Sequence, residues 1–268
     1  MKASLSTIST INASFAEDVD AYAAAGFDAI GLWEFKLPAD DAANVELLRA
    51  RRLTVSNCVP TVPSFLPLAI PGMEGPADPE ERIEAICDSV RRLSRYEPAC
   101  VLCLSGPLGG RSEEEGRAIV IEGVRRAAAA ARESGVVLGF EPIHPAQRDT
   151  AGFVCSLADA LALLDEAGLD DVGIMADTYN LANEATQDVV AARDRFTGLH
   201  VADELPEPVP GVRALPSAGG RSAELVAALL AAGWEGTLDV EVFSTPDAFW
   251  ALPVNEAALQ AYGSAAAL

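Results

Sequence analysis

The chain has 268 residues, half of them hydrophobic, and carries 19 basic against 40 acidic side chains, a formal net charge of −21. This length suits one eight-stranded α/β barrel, which takes about 250 residues, and the apolar content supplies a large core and argues against disorder. The negative charge would repel nucleic acid, and neither a signal peptide nor a membrane span is evident. We therefore expect a cytoplasmic protein with no nucleic-acid or membrane partner.

Five cysteines are scattered along the chain, an odd number in a protein too long to need disulfides for stability, and we expect reduced thiols. Cys100 and Cys103 form a C-x-x-C. Their segment, ACVLCLS, is typical of a buried strand, and no second pair follows at the spacing of a zinc site. This favours a structural role.

Eight short apolar runs, each followed by a helical pattern, succeed one another along the chain. The runs are continuous rather than alternating, as in strands buried on both faces of a parallel sheet. They lie at roughly 3–9, 27–33, 53–59, 99–104, 136–141, 172–176, 198–202 and 237–242. The proline-rich segment 58–79, after the third run, is expected to form a wall or lid over the mouth of the barrel.

Local signals mark where the helices begin and end. Ser14-x-x-Glu17 and Ser112-x-x-Glu115 have the spacing of capping boxes. Four helical stretches are followed by a glycine that suits the left-handed position past a helix end: Gly26, Gly135, Gly168 and Gly233. Because no glycine-rich turn follows the first strand, these units predict an α/β fold, a single (β/α)8 TIM barrel domain over residues 1–268, rather than a doubly wound sheet.

Candidate metal ligands end the last four predicted strands. The carboxyl ends of barrel strands converge on one face, and a charged side chain flanked by apolar residues is costly to bury unless it meets a metal or a partner. The candidates are Glu141, Asp177, His200 and Glu241. This oxygen-rich set suits a divalent metal, for which we expect Mn²⁺ first and Mg²⁺ or Co²⁺ as alternatives. Salt-bridged residues at the barrel rim are the other interpretation.

The segments that carry these residues also carry a resemblance that spans nearly the whole chain. With GFDAIGLWE, GFEPIHP, GIMADTYN, GLHVADE and GWEGTLDVEVFS, the chain resembles the sugar phosphate isomerase/epimerase family, xylose-isomerase-like barrels that include ketose 3-epimerases and related lyases. The resemblance implies that the same four residues are the metal ligands. It also implies that Glu141 and Glu241 are the catalytic acid/base pair, which would move a proton while a metal stabilises an enediolate.

The chain departs from many relatives of this family at two positions that contact substrate oxygens in them. Asn180 stands where they carry histidine, and Pro206 stands where they carry arginine. Arg213 or Arg221, in the loop that follows, is the candidate to replace that arginine.

Four residues are predicted to bind the substrate: His144, Asn180, Glu34 and Arg213. For His144 the alternative is a hydrogen bond at the rim, and for Glu34 it is an ion pair with Lys36. Ser217-Ala-Gly-Gly220 precedes a helix near the place where barrels bind phosphate, a weak signal because no lysine is adjacent.

The leading interpretation is a metal-dependent isomerase or epimerase of a small carbohydrate or polyol-derived ketone. Elimination instead of reprotonation would make the protein a lyase or dehydratase, and a non-catalytic sugar-binding subunit is an alternative of another class. An abasic-site endonuclease on this fold would need several histidines and a basic surface, whereas the chain has two histidines and a charge of −21. The exact substrate and a homo-oligomeric state stay open.

Overall fold

Eight parallel strands close into a barrel in the computed structural model, which describes residues 1–268. The barrel strands, numbered β1 to β8 in chain order, are Lys2–Ser6, Ala29–Trp33, Thr54–Val59, Val101–Cys103, Leu138–Phe140, Gly173–Asp177, Phe196–Val201 and Thr237–Val240. Each strand pairs with its neighbours in sequence, and β1 pairs with β8 to close the ring. The predicted TIM barrel is confirmed.

An α-helix follows every strand. The helices, α1 to α8, are Phe15–Ala25, Asp41–Arg51, Pro79–Leu93, Glu113–Ser134, Leu157–Ala167, Thr186–Ala191, Arg221–Ala231 and Val254–Ala265. Both predicted capping boxes form, with Ser14 and Ser112 each exchanging hydrogen bonds with the glutamate three residues later. The four predicted glycines have positive φ angles. None of the helices combines the length and the apolar character needed to cross a bilayer.

Two short segments differ from the strands that the sequence predicts. The first apolar run leaves the extended conformation at Thr7–Thr10, which is a 3₁₀ helix. In addition, Asp203–Glu204 and Arg213–Ala214 pair as a two-stranded antiparallel hairpin in the loop after β7. Two-residue strands have no periodicity that the sequence could reveal.

The apolar core has two parts. The larger cluster of 57 buried residues lies mainly between the barrel wall and the helices. A cluster of ten extends from the barrel strands to their carboxyl end and includes Ile8, Trp33 and Leu104. Cys100 belongs to the smaller cluster and Cys103 to the larger one, and all five cysteines are unpaired. The C-x-x-C therefore fills the core, as expected.

A buried ion pair holds the 3₁₀ helix after β1. The ammonium of Lys36 lies 2.5 Å from Asp18 Oδ2 and donates hydrogen bonds to the carbonyl oxygens of Thr7 and Thr10. Burial raises the pKa of Asp18 to about 7 even though the charge of Lys36 opposes the shift. Both side chains are almost fully shielded from solvent, so neither charge can be solvated if the other is removed.

Replacing Lys36 with methionine should lower the free energy of unfolding by about 3–5 kcal/mol, because the Asp18 carboxylate would be left buried without a counter-charge. A raised carboxyl pKa means that the folded state keeps a proton that the unfolded state releases above its pKa of 3.8. Without Lys36, which lowers the pKa of Asp18, the folded variant keeps this proton to a higher pH than the unaltered protein does. The difference in stability should thus be smaller at about pH 5 and grow as the pH rises through about 7 to about 8. Urea unfolding at both pH values measures it.

The double variant Lys36→Met/Asp18→Asn is the control, because it removes both charges and should recover part of the loss. An equal loss for the single and double variants at every pH would show that packing, and not the unpaired charge, stabilises this corner of the barrel.

Candidate active site

The four candidate ligands meet at the carboxyl end of the barrel. Glu141 follows β5, Asp177 ends β6, His200 lies in β7 and Glu241 follows β8. All four are buried, and one nitrogen or oxygen atom from each lies within 4.8 Å of the others. An ion with bonds of about 2.2 Å spans roughly 4.4 Å between opposite ligands, so the set fits one ion after a contraction of a few tenths of an ångström.

Glu141 is the carboxylate with the raised pKa. Burial raises its pKa to about 7, and the nearby His200, whose Nδ1 lies 3.4 Å from Glu141 Oε1, offsets this only in part. Asn180 donates a hydrogen bond of 3.1 Å to the same oxygen. Glu141 can thus hold a proton near neutral pH.

Glu241 has the opposite tendency. Burial disfavours its charge, but the positive charges of His200 and Arg213 and a hydrogen bond from Arg213 outweigh burial and lower the pKa of Glu241. Arg213 Nη1 lies 2.6 Å from Glu241 Oε2, and the indole of Trp33 lies 3.3 Å from Oε1. The pKa values of the two glutamates are therefore shifted in opposite directions, which suits an acid/base pair.

His200 is oriented by groups on both sides of its ring. Nδ1 lies 3.4 Å from Glu141 and 3.3 Å from Glu241, whereas Nε2 faces Asp239 Oδ2 at 3.6 Å. Asp239 is fully buried and accepts a 2.5 Å hydrogen bond from Asn57 Nδ2. A side chain at Gly31 would begin 2.2 Å from Asp239 Oδ2, so only glycine leaves room for this carboxylate.

Sequence reasoning missed Asp239. The signal was present, because Asp239 precedes Glu241 by two residues and the period of a strand places both side chains on the interior face. It lies buried behind the imidazole, where it can fix the orientation of His200.

Arg213 is the candidate substrate-binding residue that lies in the site. The hairpin places its guanidinium 2.9 Å from Asp177 Oδ2, in addition to its contact with Glu241, and between the rings of Tyr179 and Phe243 at 5.0 and 4.9 Å. Burial opposes its charge, but Asp177 and Glu241 raise its pKa, so the charge is permanent.

The other candidate arginine is bound elsewhere. Arg221 donates to the carbonyl oxygens of Ala182 and Glu184 and to Thr186 Oγ1, outside the cavity. Of the two arginines considered from the sequence, the structure therefore brings only Arg213 to the carboxylates.

His144 and Asn180 lie beside the candidate ligands but do not face the cavity. The backbone N–H of His144 donates to Asn180 Oδ1, and its Nδ1 accepts from the backbone of Ala146. Its Nε2 lies 3.2 Å from Asn183 and 3.6 Å from Glu204. Both residues lie outside the lining of the cavity described below, and Asn180 reaches the site through Glu141.

Glu34 is engaged on the outer side of the barrel mouth. Its carboxylate accepts hydrogen bonds from Ser89 Oγ at 2.6 Å and from the backbone N–H of Thr61 at 2.9 Å, and it pairs with Arg92 at 3.3 Å. It does not line the cavity either. Lys36, considered as its partner from the sequence, pairs with Asp18 instead.

A cavity of about 690 Å³ opens above the carboxylates and reaches Glu141, Arg213 and Glu241 at its base. The proline-rich segment contributes Leu68, Met73 and neighbouring residues to one wall, which confirms that it covers the barrel mouth. The volume falls in the range of about 300–1,000 Å³ that is usual for small-molecule sites.

The comparisons with known proteins agree with this architecture. The sequence profile of the xylose isomerase-like TIM barrel family matches residues 19–263. No curated protein sequence matches the chain significantly. Solved structures that resemble it include a protein of Sinorhizobium meliloti 1021, with 24% identity, a TM-score of 0.84 and coverage of 98% of this chain and 96% of that one.

Two further structures carry informative names. The IolI protein with a bound zinc atom has 16% identity, a TM-score of 0.80 and coverage of 99% and 96% of the two chains. A D-psicose 3-epimerase with D-tagatose, from Clostridium cellulolyticum H10, has 15% identity, a TM-score of 0.74 and coverage of 100% and 99%. At these identities the likeness concerns the fold alone.

Proposed function

Because the chain belongs to the xylose isomerase-like TIM barrel family, we propose that it is a metal-dependent isomerase or epimerase of a small carbohydrate or polyol-derived ketone. The observation that carries the proposal is the convergence of four buried ligands that include two glutamates of opposite protonation tendency. Neighbours of the same fold that are named for a 3-epimerase and for a bound zinc atom support it.

Glu141, Asp177, His200 and Glu241 would hold the divalent metal. When bound, a metal there supplies a Lewis acid that polarises the carbonyl and hydroxyl oxygens of the substrate. Metal ligation requires ionised carboxylates and a neutral imidazole. In that state the three carboxylates and Arg213 sum to a charge of −2, which a divalent ion balances. We propose Mn²⁺ first, with Mg²⁺ or Co²⁺ as alternatives.

The two glutamates would divide the proton transfers. Glu241, kept ionised by Arg213, accepts the proton from the carbon next to the carbonyl. Glu141, whose pKa is raised by burial, is the carboxyl that takes up a proton more readily, and it delivers that proton to the substrate. His200 stands between the two carboxylates and separates their oxygens, and Arg213 balances the charge of Glu241 as the transfer proceeds.

Deuterium uptake from solvent tests the proposal. Candidate ketoses and keto-polyols are incubated with the metal-loaded protein in D2O, and NMR locates deuterium next to the carbonyl. A labelled isomer supports the isomerase or epimerase, whereas an unsaturated product would assign the dehydratase instead. A metal-free protein with full activity would contradict the proposal.

Asp239 should control metal affinity without touching the ion. Asp239→Asn removes the negative charge that faces His200 Nε2, and we expect a loss of affinity for Mn²⁺ of about 10- to 100-fold, as for other partners of metal-binding histidines. Isothermal titration calorimetry measures the affinity. Asp170→Asn, at an exposed site, is the control. Unchanged affinity in Asp239→Asn would restrict Asp239 to a packing role.

A further inference from the structure

The cavity above the carboxylates has an oxygen-binding side and a hydrocarbon side. We infer that the substrate is an unphosphorylated hydroxyketone whose carbon body carries few hydroxyl groups, held with its oxygens at the carboxylates and its body against strands β1 to β4. The inference rests on the proposed function and narrows its substrate class.

The hydrocarbon side is built by the first half of the barrel. Ile8, Trp33 and Val59 follow or end β1 to β3, Leu104 follows β4, and all four are at most 9% exposed. The proline-rich wall adds Met73 and its neighbours, and 16 of the 28 residues that line the cavity are hydrophobic. The coordinating groups all come from β5 to β8. Apolar residues also line that half of the cavity, among them Ile143, Phe243 and Trp250, so the polar groups form a small patch at its base.

Hydroxyl groups on the hydrocarbon side would find few partners. The neutral polar residues of the lining are Thr61, Gln147, Thr150 and Ser244. Thr61 and Thr150 are exposed and Gln147 is half-exposed, which places them towards the rim. Ser244 Oγ is already bonded to the backbone of Phe249 and Thr245. The indole N–H of Trp250 is a further donor and has no partner. A polyhydroxylated body would thus lose more hydrogen bonds to water than these groups can replace, which is unfavourable.

A phosphate group is disfavoured by charge. Arg213 is the sole cation among the lining residues, and its guanidinium is engaged by Asp177 and Glu241. The start of α7, where barrels of this kind often bind phosphate, is occupied by the carboxylate of Asp203, which accepts hydrogen bonds from the backbone of Ser217 and Ser222. A phosphate there would meet a like charge.

Three hydroxamates that share the same chelating group and differ in the carbon body test the inference. Their binding affinities are measured by calorimetry on protein loaded with one equivalent of Mn²⁺. Acetohydroxamate has no body, cyclohexanecarbohydroxamate has an apolar ring, and gluconohydroxamate has a polyhydroxylated chain. We expect the cyclohexyl compound to bind about 30-fold more tightly than acetohydroxamate, from partial burial of its ring carbons, and more tightly than the gluconate compound.

A substitution in the proline-rich wall tests whether the cavity causes the preference for the cyclohexyl compound. Met73→Gln keeps the length of a half-buried side chain and should weaken binding of the cyclohexyl compound about fivefold while leaving acetohydroxamate unchanged. Leu259→Gln, on the outer face of α8, should change neither.

The outcomes separate the two proposals. Tightest binding of gluconohydroxamate, or equal binding of all three, would overturn the inference and leave the metal-dependent function intact. Binding of none of the three, with Mn²⁺ in place, would contradict the proposed function and the inference with it.

Discussion

Glu241→Gln should reduce deuterium uptake at the carbon next to the carbonyl by about 10²- to 10⁴-fold, the usual contribution of a general base. Glutamine cannot accept the proton, although its amide preserves the shape of the side chain and an oxygen that can accept from Trp33 and from Ser6 Oγ, which lies 3.4 Å from Glu241 Oε1. Product formation should fall by the same factor, since abstraction precedes every later step.

Glu141→Gln should give a different pattern. Product formation should fall about as far, because no carboxyl delivers the second proton, whereas deuterium uptake through Glu241 should continue. Metal content is measured by elemental analysis for each variant, so that lost chemistry is distinguished from lost metal. Glu235→Gln, an exposed glutamate at the opposite end of the barrel, is the matched control. Full turnover in either active-site variant would remove that residue from the pair.

The second large effect concerns the metal itself. Asp177→Ala removes one of the four ligands, and we expect the affinity for Mn²⁺ to fall by about 100-fold or more. Free Mn²⁺ at 100 times its dissociation constant should stabilise the unaltered protein by about 2.7 kcal/mol. At the same concentration the variant should gain about 0.4 kcal/mol or less.

Thermal unfolding with and without Mn²⁺ measures the effect, and Asp188→Ala, an exposed aspartate in α6, should retain the full shift. Equal stabilisation of the Asp177→Ala variant would place the ion elsewhere. Absence of any stabilisation in the unaltered protein would contradict the metal site as a whole.

The sequence predicts the barrel well because its signals are local. Continuous apolar runs identify buried parallel strands, and Gly26 and Gly135 mark helix ends through a backbone conformation that few other residues adopt. The four candidate ligands could also be picked out, because a charged residue at the end of an apolar strand stands out without any knowledge of its neighbours.

The residues around the ligands were less predictable because their directions depend on tertiary contacts. Arg213 and Arg221 could not be separated in a loop without periodicity, and the choice depends on a hairpin of only four residues. Glu34 follows a strand as a ligand would, yet its side chain turns to Ser89 and Arg92 in α3. Nothing local to Glu34 indicates that helix as its partner.

The order in which the barrel strands follow one another in the chain has a consequence for recombination. The side chains proposed to perform chemistry all follow β4 in the chain, whereas the most deeply buried hydrocarbon wall is encoded before it. A recombination event between β4 and β5 would therefore separate this wall from the groups proposed to perform the reaction. The incoming half would also have to supply the contacts that Trp33 and Asn57 make with Glu241 and Asp239.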